Sequence, residues 1–470
     1  MQKILTNRQA GVLLHPTSLP NGMLDQHAWL FLDWMEKAGF SIWQMLPLTP
    51  PVQGISPYLS DSAFAMNPAL LPENWEQDFL QDQTQQNEFS RYLKQPPHWL
   101  HDYALFKVLK TQTQDQSWSQ WAACYRYRDE KALKNFAKAH QDELLWYKKQ
   151  QFAIHALWSR LKYDANKKGI KLFGDMPIFV AYDSVDVWAN PEQFKLDTEL
   201  NPTVVTGVPP DYFSEDGQRW GNPHYNWSAM QVDGFTWWLS RIRTALSIFD
   251  VLRIDHFRGL DAVWEINTEE ETAIHGCWVK TPGVELLQKV QEAHPDLPLV
   301  AEDLGFITPE VIALKNEFNL PGMSVLQFGF DGHHENPHSL RNQVENSVVY
   351  TGTHDNDTVL GWLESLDPHT KYLVESDLAM CEGSMPWPVV VAALNSRAQW
   401  AIIPMQDILE LGTEARMNVP GVIGDNWLWQ FNWSQVAEEL AEKLNGYIHT
   451  SGRTKILNQN DDVVKESHYG

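Results

Sequence analysis

Four stretches of this 470-residue chain each place a carboxylate at the end of a run of β-forming apolar residues. In "VLRIDHFRGL" (251–260), Val251, Leu252 and Ile254 have the pattern of a buried strand. Arg253, Asp255, His256 and Arg258 nevertheless put ionisable groups into or beside it. Unpaired interior charge is costly, so a strand of this composition needs a function. "LPLVAEDLG" (297–305) ends near Glu302, "SVVYTGTHDND" (347–357) carries His354 and Asp355, and "GIKLFGDMPIFVA" (169–181) carries Asp175. One such carboxylate alone is more often a loop cap or a structural ion pair. Four at matching strand ends point to one shared bowl. A retaining attack on a glycosidic bond uses two carboxyl groups about 5–5.5 Å apart, one as nucleophile and one as acid and then base. Asp255 suits the nucleophile, and Arg253, two residues earlier on the same strand face, is expected to hold its pKa down. Glu302 suits the acid, its pKa raised by partial burial and by the negative groups around it.

These residues need a scaffold that brings distant strand ends together. Eight β-rich runs occur, at 11–19, 40–48, 169–181, 250–259, 297–305, 322–330, 347–357 and 400–411. Helical patterns separate several of them. "HAWLFLDWMEKAG" ends at Gly39, "FAIHALWSRLKYDANKKG" has a Lys-rich end and a Gly stop, and "TPEVIALKNEFN" opens as helices open. Strands alternating with helices imply parallel pairing. Eight units predict a single-domain α/β fold spanning 1–470, a (β/α)8 TIM barrel with active groups at the C-terminal ends of its strands. A bare barrel takes roughly 250 residues, so large helical and loop insertions are expected. They fall at about 52–150 (helical), 182–240 (loop-rich, rich in Pro, Gly, Asn and Trp, covering the cleft) and 262–283. Long loops in a domain of this size are usually functional.

Composition narrows the partners. A formal charge of −24 repels nucleic acid and anionic membranes, whereas a neutral substrate is compatible with it. No stretch has the roughly 18–20 apolar residues that a membrane span needs, and the N-terminus lacks an apolar signal core. The three cysteines are widely spaced and suit a reducing cytoplasm. The 22 tryptophans are many for this length. Their faces suit sugar rings, and core packing is expected to take about half of them. "HENPH" (334–338) fits a zinc-protease pattern, but Pro337 opposes the single helix that pattern requires, so no metal ligands are assigned.

Taken together, "LRIDHFRG", "VAEDLG" and "TGTHDND" resemble the nucleophile, acid/base and third-carboxylate motifs of the 4-α-glucanotransferases, the amylomaltase or disproportionating-enzyme family (glycoside hydrolase family 77, in the α-amylase clan). "SPYLSDSAFAMNP", "GDMPIFVA", "GVPPDYFSEDGQRWGNPHYNW" (207–227) and "RMNVPG" are similar to its members too, and the resemblance runs from Gly11 to about Trp433. It implies Asp255 as nucleophile, Glu302 as general acid/base and Asp355 as transition-state stabiliser. Arg253, His354 and His256 would bind sugar in the cleft, and Tyr58, Asp175 and the 207–227 loop would contact substrate. Trp220 is the first candidate stacking platform in that loop, with Tyr212 and Phe213 beside it; packing that anchors the loop is the competing role. The implied activity transfers part of an α-1,4-glucan or maltooligosaccharide to the 4-OH of glucose or of another glucan. It uses a covalent glucosyl-enzyme and no cofactor. An α-amylase-type hydrolase built on the same carboxylates is the alternative. A non-catalytic glucan-binding barrel would be marked by loss of one of them, and none is lost.

Overall fold

The computed structural model describes residues 5, 7–52, 56–210, 214–381, 383–422 and 424–453. Twelve strands occur among them: β1 (Gln9–Leu13), β2 (Ile42–Gln44), β3 (Lys171–Pro177), β4 (Val204–Val208), β5 (Gln218–Pro223), β6 (Val251–Asp255), β7 (Ala262–Asn267), β8 (Gly276–Lys280), β9 (Leu299–Ala301), β10 (Gly322–Val325), β11 (Ser347–Tyr350) and β12 (Trp400–Pro404). Eight of them make one sheet in the order β10-β11-β12-β1-β2-β3-β6-β9, and every pairing in it is parallel. The Ala301 N–H donates to the Pro321 carbonyl at 2.8 Å across the remaining β9–β10 seam, so the sheet curls into a nearly closed barrel. All eight predicted runs supply one barrel strand each, trimmed to three to seven residues.

The strands are buried on both faces, as parallel strands are, and their side chains alternate between two cores. Leu13, Ile42, Phe173, Val251, Val300 and Ile402 fill the barrel interior. Their sequence neighbours Val12, Trp43, Leu172, Leu252, Leu299 and Ile403 point outward, beneath the helices. Gly174 lets β3 press close: a Cβ there would lie 2.1 Å from the Phe249 ring, so any side chain would push out the strand that carries Asp175. The helix Gln26–Ala38 starts with the Asp25 carboxylate accepting the His27 N–H, and it stops where its sequence predicts, at Gly39 in the left-handed region (φ 84°). Near the C-terminal limit of the described residues, the buried Arg453 guanidinium donates to the carbonyls of Leu394, Ser396, Ala398, Gln9 and Gln399, fastening the helix Leu440–Thr450 beneath β1 and β12.

Two excursions leave the barrel. Between β2 and β3 the chain is mainly helical, ending in the 27-residue helix Gln141–Lys167. The second differs from the loop-rich reading of 182–240. Part of it forms β4 and β5, which join β7 and β8 in an antiparallel sheet of order β5-β4-β7-β8. Local patterning cannot reveal this, because β4 pairs with β7, a strand on the far side of β6 in the chain. Of the 22 tryptophans, all within the described residues, twelve are buried, so core packing takes about half. No helix among the described residues is long and apolar enough to cross a membrane.

Candidate active site

The register of β3 against β6 builds the floor of the cleft. Asp175 stands opposite Arg253, and Pro177 opposite Asp255, so the two acids and the arginine share one face. Arg253 is almost fully buried. Its Nη1 lies 2.8 Å from both oxygens of Asp175 and 3.0 Å from Asp255 Oδ1. Burying a guanidinium is tolerable here because two carboxylates surround it, and together they raise its pKa against the desolvation that lowers it. The Tyr58 hydroxyl completes the set, donating to Asp175 Oδ2 at 2.6 Å.

Directly after β6 the backbone turns into the left-handed region at His256 (φ 52°), a conformation that costs a non-glycine residue about 1 kcal/mol or more. The turn aims the His256 N–H at Glu302 Oε2, 2.7 Å away, while Leu304 N–H donates to Oε1 at 3.0 Å. The ends of β6 and β9 are thus tied together through the Glu302 carboxylate itself. The His256 ring stands edge-on to Trp220 at 4.9 Å, and burial lowers its pKa to about 3, so the ring is neutral. Trp220 projects from β5 with 38% of its surface exposed, the only tryptophan in the 207–227 stretch besides the buried Trp227.

On the opposite side, the loop after β11 brings in His354 and Asp355. Nε2 of His354 lies 3.3 Å from Asp355 Oδ2, and burial lowers the pKa of its imidazole. The His354 ring stacks on Tyr58 at 5.1 Å, with Trp427 against both. Asn418 Nδ2 donates to Asp355 Oδ1 at 2.6 Å, and Arg416 to the Asp355 carbonyl at 2.6 Å.

Electrostatically, the cleft corrects one expectation. Arg253 does lower the Asp255 pKa, but burial together with Asp175, Glu302 and Asp355 outweighs it, and the carboxyl is pushed up rather than held down. Arg253 already has Asp175 on the same nitrogen, so its charge is shared. Glu302 is also raised, chiefly by burial, against Arg253 and the two N–H donors. With both carboxyls raised, this end of the cleft retains a proton closer to neutrality than free carboxylates do.

The structure therefore brings Asp255, Glu302, Asp355, Arg253, His354, His256, Asp175, Tyr58 and Trp220 into one cleft, whereas Tyr212 and Phe213 lie outside the described residues. Arg416, Asn418 and Trp427 were not singled out from the sequence, although "RMNVPG" contains the first two. "HENPH" forms turns, and His338 Nδ1 accepts the Val325 N–H. No group of acidic, histidine or cysteine residues suited to a metal occurs among the described residues.

A family model described as 4-alpha-glucanotransferase matches residues 13–75 and 70–435. The 4-alpha-glucanotransferase of Thermus thermophilus is 42% identical over 495 aligned positions, covering 95% of this chain and 99% of that protein. That of Synechocystis is 40% identical, covering 96% and 99%. An amylomaltase from Streptococcus agalactiae, solved in complex with acarbose, has the same fold with a TM-score of 0.91 at 32% identity, covering 95% of this chain and all of that one. Agreement of this extent in both sequence and fold makes the chain a member of the 4-alpha-glucanotransferase family.

Proposed function

We propose that the cleft performs glucan transfer by two inversions at one anomeric carbon, with Asp255 as nucleophile, Glu302 as acid and then base, and Asp355 gripping sugar hydroxyls. In the first step an Asp255 oxygen bonds to C1 as the C1–O4 bond breaks, and the departing O4 takes the proton of Glu302. In the second, the 4-OH of an acceptor gives its proton to Glu302 while its oxygen displaces Asp255 from C1. The α configuration is retained, and the proton returns to its starting place.

The observation that carries this reading is the tie between His256 N–H and Glu302 at the end of the Arg253–Asp255 strand. It joins the ends of β6 and β9, and that closeness supports Asp255 and Glu302 as a nucleophile and acid pair. Positive charge developing at C1 favours the ionised form of Asp255, next to Arg253, while the raised Glu302 carboxyl keeps the proton it must deliver. His354, Arg253 and Tyr58 would hold the sugar at the cleavage point. Trp220, half open beside His256, would cover one side and disfavour water relative to a bound sugar acceptor. The steps call on no group beyond the chain's own side chains and two sugars. The substrates on this reading are α-1,4-glucans and maltooligosaccharides, with glucose or another glucan as acceptor, in the cytoplasm. The chain acts as one catalytic domain, with the 52–150, 182–240 and 262–283 excursions serving the barrel.

Incubation with pure maltotriose tests the reading against hydrolysis. Transfer yields glucose and longer oligosaccharides with reducing ends constant. Rising reducing ends without longer products would make the enzyme a hydrolase.

A further inference from the structure

One buried acid takes no part in the chemistry above. Asp407 follows β12, is 1% exposed, and forms no salt bridge with a cationic side chain among the described residues. Its two oxygens reach the two ends of a single loop. Oδ2 accepts the Thr351 hydroxyl at 2.6 Å, and Oδ1 accepts the Val359 N–H at 2.7 Å. Thr351 is the residue directly after β11, and Val359 opens the helix Val359–Ser365. Between them lie Gly352 to Thr358, including His354 and Asp355.

Inside this span the loop holds its own shape. Asn356 Oδ1 accepts from both the amide and the hydroxyl of Thr353, and the Asp355 N–H donates to Thr353 Oγ1. Gln327 Nε2 donates to the Asp357 carbonyl at 2.8 Å, and the Thr413 hydroxyl to Asp357 Oδ2 at 2.8 Å. Those contacts act on the middle and the far shoulder of the loop. Asp407 alone among these groups bridges its two ends, so it sets the gap that the loop must span. It also lines one cavity together with Thr353, His354 and Met417.

We propose that Asp407 is a positioning residue for the transfer reaction, clamping the ends of the 351–359 loop so that Asp355 and His354 meet the sugar in the reacting geometry. The proposal rests on the reading of Asp355 as a substrate-gripping group. Burial raises the Asp407 pKa to about 6, the Thr351 and Val359 donors opposing it. The chain thus carries an acid where an apolar residue would avoid a desolvation cost, which fits a geometric task better than a packing one.

The test uses the full-length enzyme with maltotriose. Thr351→Val removes one of the two bonds, and Asp407→Val removes both. Asp407→Asn keeps an acceptor for Val359 and offers an amide N–H to the Thr351 oxygen. Misplacing a reacting group by ~1 Å costs roughly 100-fold, so Asp407→Val should lose about that much kcat with KM nearly unmoved. Thr351→Val should lose less, and Asp407→Asn should restore most of the rate. If Asp407→Val does not fold, Thr351→Val decides, since a wild-type kcat there overturns the clamp. An Asp407→Asn enzyme as inactive as Asp407→Val would also overturn it, because charge rather than the two bonds would then matter. Asp355→Asn is the control. If it keeps full activity, the reading of Asp355 fails; if it is inactive while folded Asp407→Val is not, only the clamp fails.

Discussion

Replacing Arg253 by Met isolates the electrostatic heart of the cleft. The stem of the side chain keeps its packing, but one charge disappears from between Asp175 and Asp255, both in contact with its Nη1. At about 3 Å and an effective dielectric of roughly 20, each contact carries on the order of 5 kcal/mol of Coulomb energy before desolvation is counted. Removing one partner of a buried pair costs about 3–5 kcal/mol net, and that is the loss expected at pH 10. Burial and the neighbouring acids already push the Asp255 carboxyl up in the wild type, and Arg253 is the cause that holds it lower, so the variant keeps the Asp255 proton to a higher pH. A raised folded pKa destabilises the native state above it and ceases to do so as pH falls through it, so the gap to wild type is widest at high pH and narrows as pH falls toward the wild-type value of about 8. Urea unfolding of both proteins at pH 10, 9 and 7.5 measures it. A gap that stays constant over this range would refute the argument, because the arginine would then be contributing packing and not charge.

Two further outcomes follow from the same geometry. Trp220→Ala removes the half-exposed ring beside His256 and should lower kcat/KM for maltotriose about tenfold while increasing the share of hydrolysis, read from reducing ends; unchanged values would leave the ring as loop packing only. Acid should destabilise the fold through His15 and His224, which burial brings to pKa values of about 3 and 4. The unfolded chain protonates both near pH 6.5 and the native state does not, so their contribution is present at neutral pH and is lost as pH falls from about 6.5 toward 4, up to roughly 3 kcal/mol for each. His224→Gln, whose amide can still reach the Val205 carbonyl, should flatten that slope in urea titrations, and an unaltered slope would contradict it.

Much of this architecture was readable because the chemistry and the strands share the same residues. A β-run such as Val251–Asp255 shows both its burial and its acid in five letters, and each barrel strand has its own run. The antiparallel sheet was harder to see. Its β5, "QRWGNP", is polar and holds Gly and Pro, and its order depends on pairing between distant segments. The acid–arginine cluster was legible in its members but not in its balance, since only the register shows that Arg253 serves Asp175 as well as Asp255. Asn418 and Trp427 escaped notice for a related reason. They enter the cleft from segments after the last barrel strand, far in sequence from Asp355 and Tyr58, and neither sits on a periodic element. Asp407 lies within the eighth β-rich run, 400–411, and nothing in its sequence neighbours sets it apart; its two bonds do.

The central claim is a covalent sugar on Asp255. The direct measurement is intact and peptide mass spectrometry of the Glu302→Gln enzyme after reaction with a maltotriosyl fluoride blocked at its non-reducing 4-hydroxyl. Fluoride leaves without the acid, and the blocked 4-OH and missing base slow the second step. The account predicts one added maltotriosyl group, on the peptide containing Asp255. Labelling on Asp175 or Asp355, or none while the fluoride is consumed, would contradict it.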